Sequence, residues 1–196
     1  MKPFSQACQN NRDPILAVLR RVFSDRRRVL EIGSGTGQHA VYFARHLPHL
    51  QWYTSDLQEN HEGILQWMAE YPLENLHSPR ELDVSASDWG VAPVDAVFSA
   101  NTVHIMSWSM VGKLFAGLGH TLLPGGVFAL YGPFNYNGEY TSESNQRFDI
   151  WLKAQEEHRG IRDFEKVDKL AREIGLELVE DNTMPANNRL LVWRRA

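Results

Sequence analysis

Hydrophobic positions along the chain switch repeatedly between helical and strand-like spacing. Asp13-Pro14 predicts a helix N-cap followed by proline in the first turn, and Ile15, Leu16, Leu19, Val22 and Phe23 then recur at helical intervals. Arg28-Val29-Leu30-Glu31-Ile32 is short, β-rich and stopped by glycine, the pattern of a buried strand. Ala40, Val41, Phe43, Ala44 and Leu47 mark a helix that Pro48 closes, and Leu50 to Ser55 form a second strand ending at Asp56. Ile64, Leu65, Trp67 and Met68 belong to a helix stopped before Pro72. A short third strand lies around Arg80–Asp83, and a fourth runs from Val94 to Ala100. Ser107 or Ser109 caps a helix carrying Val111, Leu114, Phe115 and Leu118, after which Pro124-Gly125-Gly126 turns the chain into a fifth strand, Val127–Tyr131.

Strands alternating with helices imply right-handed crossovers and a mostly parallel sheet covered on both faces. The last third differs. A helix from about Glu143 to His158 is followed by another that Asp163 opens and Gly175 closes. Strands near Leu176–Asn182 and Arg189–Trp193, joined by Met184-Pro185-Ala186-Asn187-Asn188, predict an antiparallel pair at the end of the sheet.

A chain of 196 residues suits one domain. Its predicted parts are an N-terminal helical segment (1–27), an α/β core (28–134), a helical insertion (135–162) and a C-terminal helix with antiparallel strands (163–196). The net charge of −4 gives no general attraction to phosphate backbones, so nucleic acid is not an expected partner. The basic run Arg26-Arg27-Arg28 reads as a solvated loop, the alternative being contact with an anionic partner. Cys8 is the one cysteine, which excludes an intrachain disulfide and a cysteine-based zinc site. No apolar run approaches membrane-spanning length and the N-terminus lacks an apolar signal core, so the expected setting is the cytoplasm and no membrane partner.

The sharpest motif is Glu31-Ile32-Gly33-Ser34-Gly35-Thr36-Gly37, at a strand-to-helix junction. Glycines there permit positive φ and close approach of the backbone to a ligand, and the next helix presents free N–H groups. The dinucleotide pattern G-x-G-x-x-G requires glycine at position 38, where this chain has Gln38. The third glycine at Gly37 and the acid two residues before Gly33 instead resemble the E/D-x-G-x-G-x-G motif of class I S-adenosylmethionine (SAM)-dependent methyltransferases. Asp56 matches that family's acid for the two ribose hydroxyls, a bidentate acceptor suited to two O–H donors. Asp83 matches the acid for the adenine amino group, with Val84 offering a backbone N–H to the ring. The segments Asn11–Leu16, Gly33–His39, Leu130–Phe134 and Pro185–Asn188 further resemble a small subfamily within that class, which implies a fold and a cofactor but no substrate.

The resemblance implies a Rossmann-like methyltransferase fold: a seven-stranded, mostly parallel sheet with an antiparallel last strand and helices on both faces. It implies cofactor contacts from Arg12, Glu31, Gly33, Ser34, Gly35, Thr36, Gly37, Asp56, Leu57, Asp83, Val84 and Asn101. Arg12 is expected over the SAM carboxylate, with a surface arginine as the alternative. His39 is expected to be structural.

The acceptor is expected at the edge where strands four and five end. His104 is the candidate proton acceptor, the alternative being a histidine that caps a turn or packs beside Trp108. Asn145 and Asp149 share a helix face, so Asp149 is a second candidate base and both are candidate pocket residues, as are Trp108, Tyr131 and Phe134. Core packing or an exposed helix face would also account for these residues. The nucleic-acid amino-methyltransferase sequence N/D-P-P-Y/F is absent. No metal-ligand spacing appears, so the expected reaction is metal-independent methyl transfer to a small molecule by a monomer or homodimer. Two other readings stay open: a nicotinamide oxidoreductase, and a non-catalytic SAM-binding module.

Overall fold

The computed structural model describes residues 2–196; Met1 of the N-terminal segment lies outside the described residues. Seven strands form the main sheet: β1 (Arg28–Ile32), β2 (Gln51–Asp56), β3 (Leu76–Glu81), β4 (Val94–Ala100), β5 (Leu122–Gly132), β6 (Leu176–Met184) and β7 (Asn188–Arg195). Their spatial order is β3-β2-β1-β4-β5-β7-β6. β1 to β5 are parallel, and β7 runs antiparallel to both β5 and β6. This is the Rossmann-like methyltransferase fold expected above, antiparallel last strand included.

The central strands are apolar on both faces because helices cover both. Alternate residues of β1 separate into two cores. Val29 joins Trp52 and Phe98 under helices α1 (Gln6–Val22) and α2 (Gln38–His46), with part of α3 (His61–Glu70) packed alongside. Leu30 and Ile32 join Val97, Phe128 and Trp193 under α4 (Trp108–Thr121) and α6 (Phe164–Glu173). Fully burying one such aliphatic or aromatic side chain contributes about 1.5–3 kcal/mol, which makes this pattern the main force fixing the layers. Glu31, a carboxylate next to the carboxyl end of β1 and 2% exposed, breaks the pattern. A buried charge in a strand otherwise built for packing marks a site.

The strand order reverses between β1 and β4, and register aligns their carboxyl ends. Ile32 lies beside Ser55 and Ser99, and Ala100 beside Tyr131. The ends of β1, β2, β4 and β5 therefore open onto one edge, where ligands bind in open α/β sheets. α5 (Glu143–Gln155) stands at that edge, and its segment returns through a two-residue parallel pairing of Phe134–Asn135 with Arg162–Asp163.

Two local expectations are corrected and a third is met. α1 starts at Gln6, capped by Ser5, whose hydroxyl accepts the Cys8 N–H, so Pro14 lies inside the helix and not in its first turn. Asp13, displaced from the cap, accepts the Tyr42 hydroxyl. The missing Pro14 N–H is tolerated because Ile15, Leu16 and Leu19 are buried in the core. β5 runs straight through Pro124-Gly125-Gly126, absorbing it in a register shift opposite Val94/Ala96. Asp163 opens α6 as expected, its carboxylate pairing with Lys166 at 2.7 Å without a capping bond.

Candidate functional site

The glycine loop after β1 is fastened to both neighbouring strands. The Gly33 and Ser34 N–H groups both donate to the Ser55 carbonyl at 3.0 Å, and the Ser55 N–H donates back to Ser34 Oγ at 3.2 Å. On the other side, Ser99 Oγ bonds the Ile32 carbonyl at 2.8 Å and meets Thr102 Oγ1 at 2.7 Å. Gly33 has φ +72, and a Cβ there would lie 2.6 Å from Thr102 Cγ2. Gly37 has φ +86 and packs on the Ile64 backbone, so α3 seats the end of the loop. The Cβ position of Gly35 faces open space. A rigid backbone with one open side is what close approach to a ligand requires.

Two carboxylates flank this loop. Glu31 is buried beneath it, and its Oε2 accepts hydrogen bonds from Ser34 Oγ and Trp52 Nε1, both at 3.0 Å. Burial pushes the Glu31 carboxyl up to about 7; the Asp56 charge adds to the rise, while the Trp52 and Ser34 bonds oppose it. Asp56, at the end of β2, accepts the Gly35 N–H on Oδ2 at 2.7 Å. Its Oδ1 accepts the Leu57 N–H at 2.8 Å and Asn60 Nδ2 at 2.7 Å. The Leu57 side chain is exposed beside it.

Asp83 follows β3 and is exposed; its Oδ1 accepts the Ser85 N–H at 2.8 Å. The Ser85 backbone and side chain hold the Asp83 carboxyl below the usual carboxylate range. Val84 is buried in the core under α4. Asn101, after β4, has φ 59, and its N–H donates to the Tyr131 carbonyl at 2.9 Å. The predicted acids and loop residues thus share one sheet edge.

Arg12 does not follow the expectation. Its guanidinium lies 4.5 Å from the centre of the Tyr42 ring and bonds Gln9 Oε1, in a groove between α1 and α2. The α1 residues turned inward are Cys8, close to Thr36 and Glu31, and Asn11, whose Oδ1 meets His39 Nε2 at 2.7 Å. His39 is structural, as expected: buried, stacked on Phe43, and lowered to about 4 by that burial. A helix-face argument would have paired Asn11 with Ile15 on the inner side and left Arg12 outside.

At the acceptor end, His104 is buried with its ring edge-to-face on Phe148, centroids 5.4 Å apart. Trp108, the neighbour expected from sequence, is 41% exposed at the start of α4. Burial first, and then the charges of Arg162 and Arg159, lower the imidazole to about 4, so it is neutral at physiological pH and only weakly basic. Its Nδ1 is buried without a hydrogen-bond partner.

Asp149 is corrected as a base. Its Oδ2 accepts Tyr140 Oη at 2.7 Å and Lys153 Nζ at 2.6 Å, and Oδ1 accepts the Ile161 N–H at 2.6 Å. Burial raises its pKa, but these three donors outweigh it and leave the carboxyl below its ordinary value. It is a strut holding α5 to the returning chain. Phe134 is fully buried in the core beneath α4 and belongs to packing. Asn145 Nδ2 donates to Thr141 Oγ1 at 2.9 Å and to the Asn187 carbonyl at 3.1 Å, tying α5 to the β6–β7 turn. Ala186 and Asn187 in that turn both have left-handed φ. The buried Tyr131 hydroxyl is flanked by Asn11 and Asn188, and burial raises its pKa. Among the described residues, no three His, Cys, Asp or Glu side chains gather in a way that could hold a metal ion. Among those residues, no helix is long and apolar enough to cross a membrane.

The family model described as "Protein of unknown function (DUF938)" matches residues 2–195. Among solved structures, the chain is similar to an O-methyltransferase family protein from Burkholderia thailandensis, with TM-score 0.83 and 16% identity over 94% of this chain and 56% of that one. It is also similar to an O-methyltransferase family 2 protein from Planctomyces limnophilus solved with apigenin (TM-score 0.84, 13% identity, 97% of this chain and 58% of that one). Human N-acetylserotonin methyltransferase, solved with SAM, gives TM-score 0.74 and 16% identity over 94% of this chain and 56% of that one. At these identities the likeness shows the fold, and the chain spans little more than half the length of each of these structures.

Proposed function

We propose that this chain, which belongs to the DUF938 family, is a SAM-dependent methyltransferase acting on a small-molecule acceptor. The observation that carries the reading is Glu31. A carboxylate buried at a ligand-facing glycine loop, and raised to about 7 by that burial, lacks a cation. The ammonium group of SAM is a cation, and SAM has no pyrophosphate to repel the acid. NAD would bring anionic charge to the same place. The donor residues therefore fit the cofactor: Glu31 for the ammonium, the Gly33–Gly37 backbone with Ser34 and Thr36 beside the methionine portion, Asp56 and Leu57 for the ribose, Asp83 and Val84 for the adenine, and Asn101 at the methyl end.

Bound SAM supplies an activated methyl group on a sulfonium. The chain's own task is then alignment and exclusion of water. The loop, fixed by Ser55 and Ser99, sets the donor side. His104, neutral and weakly basic, orients an acceptor by hydrogen bonding and takes up a proton only from an acidic group. Tyr131, Asn145 and Trp108 stand around the same edge. The transfer needs no metal, and the chain works as a monomer or homodimer in the cytoplasm without nucleic acid or membrane. Incubating the purified chain with methyl-labelled SAM and small phenols, thiols and amines tests this. Label transfer that survives EDTA supports the reading. SAM binding without S-adenosylhomocysteine (SAH) formation from any acceptor would favour the non-catalytic module.

A further inference from the structure

The crossover from β3 to β4 carries no helix. Residues 82–93 run irregularly, pinned to α4 by the buried Trp89, whose ring fills the space that a side chain at Gly117 would need. Parallel strands are usually joined through a helix that also covers the sheet. Here the α4 side of β2 and β3 is left open. Three planar groups from adjacent strands stand on it in a row. The Tyr53 and His77 rings stack at 4.2 Å with 9° between planes, and the Arg28 guanidinium lies 5.3 Å from the Tyr53 centroid. With Arg80, Leu30 and Val91 they line a cavity of about 260 Å³.

The charge of this cavity is one-sided. Two guanidinium groups and an imidazole line it, and no carboxylate does. Arg80 donates to the Gly90 carbonyl, while Arg28 Nε is buried without an acceptor. Asp95, at the start of β4, already accepts the backbone N–H groups of Arg27 and Arg28. An unmet buried donor is unfavourable, and an anion paired with the Arg28 guanidinium would offset it. Arg28 ends the basic run and opens β1, as the strand pattern predicts, and its side chain turns inward over Tyr53. It lies five residues before Gly33, about 16 Å along the strand from the glycine loop.

We propose that this cavity is a second binding site, for a small aromatic anion whose charged group meets Arg28 and Arg80 and whose ring lies among Tyr53, Leu30 and Val91. Its volume falls just below the usual range for small-molecule pockets, which restricts the occupant to one or two rings. The site stands independently of SAM binding. The test is calorimetric titration of the full chain with 1-naphthoate and with neutral 1-naphthamide. Arg28→Gln and Arg80→Gln are compared with the surface control Arg147→Gln, and thermal melting confirms that each variant is folded. The acid should bind at least tenfold more tightly than the amide. Each pocket variant should weaken it fivefold or more, Arg147→Gln should not, and SAH should not displace it. Equal binding of acid and amide, no effect in a folded Arg28→Gln chain, or displacement by SAH would overturn the proposal. So would Arg28-dependent self-association in sedimentation without naphthoate binding, since a second copy would then cover this face.

Discussion

Replacing Glu31 by glutamine should make the ligand-free protein more stable while weakening its cofactor site. Burial raises the Glu31 carboxyl from 4.5 to about 7. A carboxyl with a folded pKa above its unfolded value binds protons more tightly in the native state. Its contribution to stability therefore falls as pH rises from about 4.5, and the loss is complete above about 7. At 1.36 kcal/mol per pKa unit, the ionised group costs the empty fold about 3 kcal/mol. Glutamine keeps the local bonds, because Trp52 and Ser34 both donate to one oxygen, Oε2, which the amide oxygen can replace. Urea unfolding without ligand, near pH 5 and near pH 8, reads the effect. The variant should match the wild type at the lower pH and exceed it by about 2–3 kcal/mol at the higher one. His39 and His104 titrate in both proteins, so the difference isolates Glu31. Parallel pH profiles for the two proteins would refute the reasoning.

Gly33→Ala combines positive φ with a Cβ 2.6 Å from Thr102 Cγ2 and should lower stability by about 1–3 kcal/mol. Thr102→Ser removes that methyl and should recover part of the loss in urea midpoints; no recovery would mean that φ alone sets the cost. Asp149→Ala should destabilise by about 3 kcal/mol through loss of a buried, triply bonded carboxylate, while the folded fraction keeps its turnover. A hundredfold loss of turnover in folded protein would restore Asp149 as the base. The His104 imidazole, lowered to about 4, should stay neutral in NMR titration down to about pH 5.5. A buried neutral histidine also makes stability fall as pH drops from about 6.5 towards 4. Protonation of His104 near its ordinary value would contradict that burial.

The placement of the glycine loop and its acids was legible because their signals are local. The glycines, Glu31 and Asp56 sit at strand ends that the hydrophobic pattern marks, and position along the strand places them on one edge. What holds them was not legible. Trp52, Ser55 and Ser99 look like ordinary strand residues until sheet register brings them against Glu31 and the loop. Pairing across 12 residues or more also decides the surroundings of His104 and α5. Phe148 meets His104, Asn145 meets Asn187, and Asp149 meets Ile161, none of which spacing reveals. Asn11 turns inward to His39 and Arg12 outward to Tyr42 because α1 starts at Gln6, a polar start with no apolar repeat to announce it. The open face over Tyr53 follows from the absence of a helix between β3 and β4, where Pro93 and Gly90 weaken the helical pattern without saying what the sheet beneath exposes.

The central claim is that the glycine loop and Glu31 receive a cationic, non-pyrophosphate ligand. Calorimetric titration of the wild-type chain with SAH, near pH 6 and near pH 8, tests it most directly. With a Glu31 pKa of about 7, the ionised fraction rises roughly tenfold across that interval, so SAH should bind about tenfold more tightly at the higher pH. No heat of binding from folded protein at millimolar SAH, or binding of NAD(H) in its place, would contradict the account.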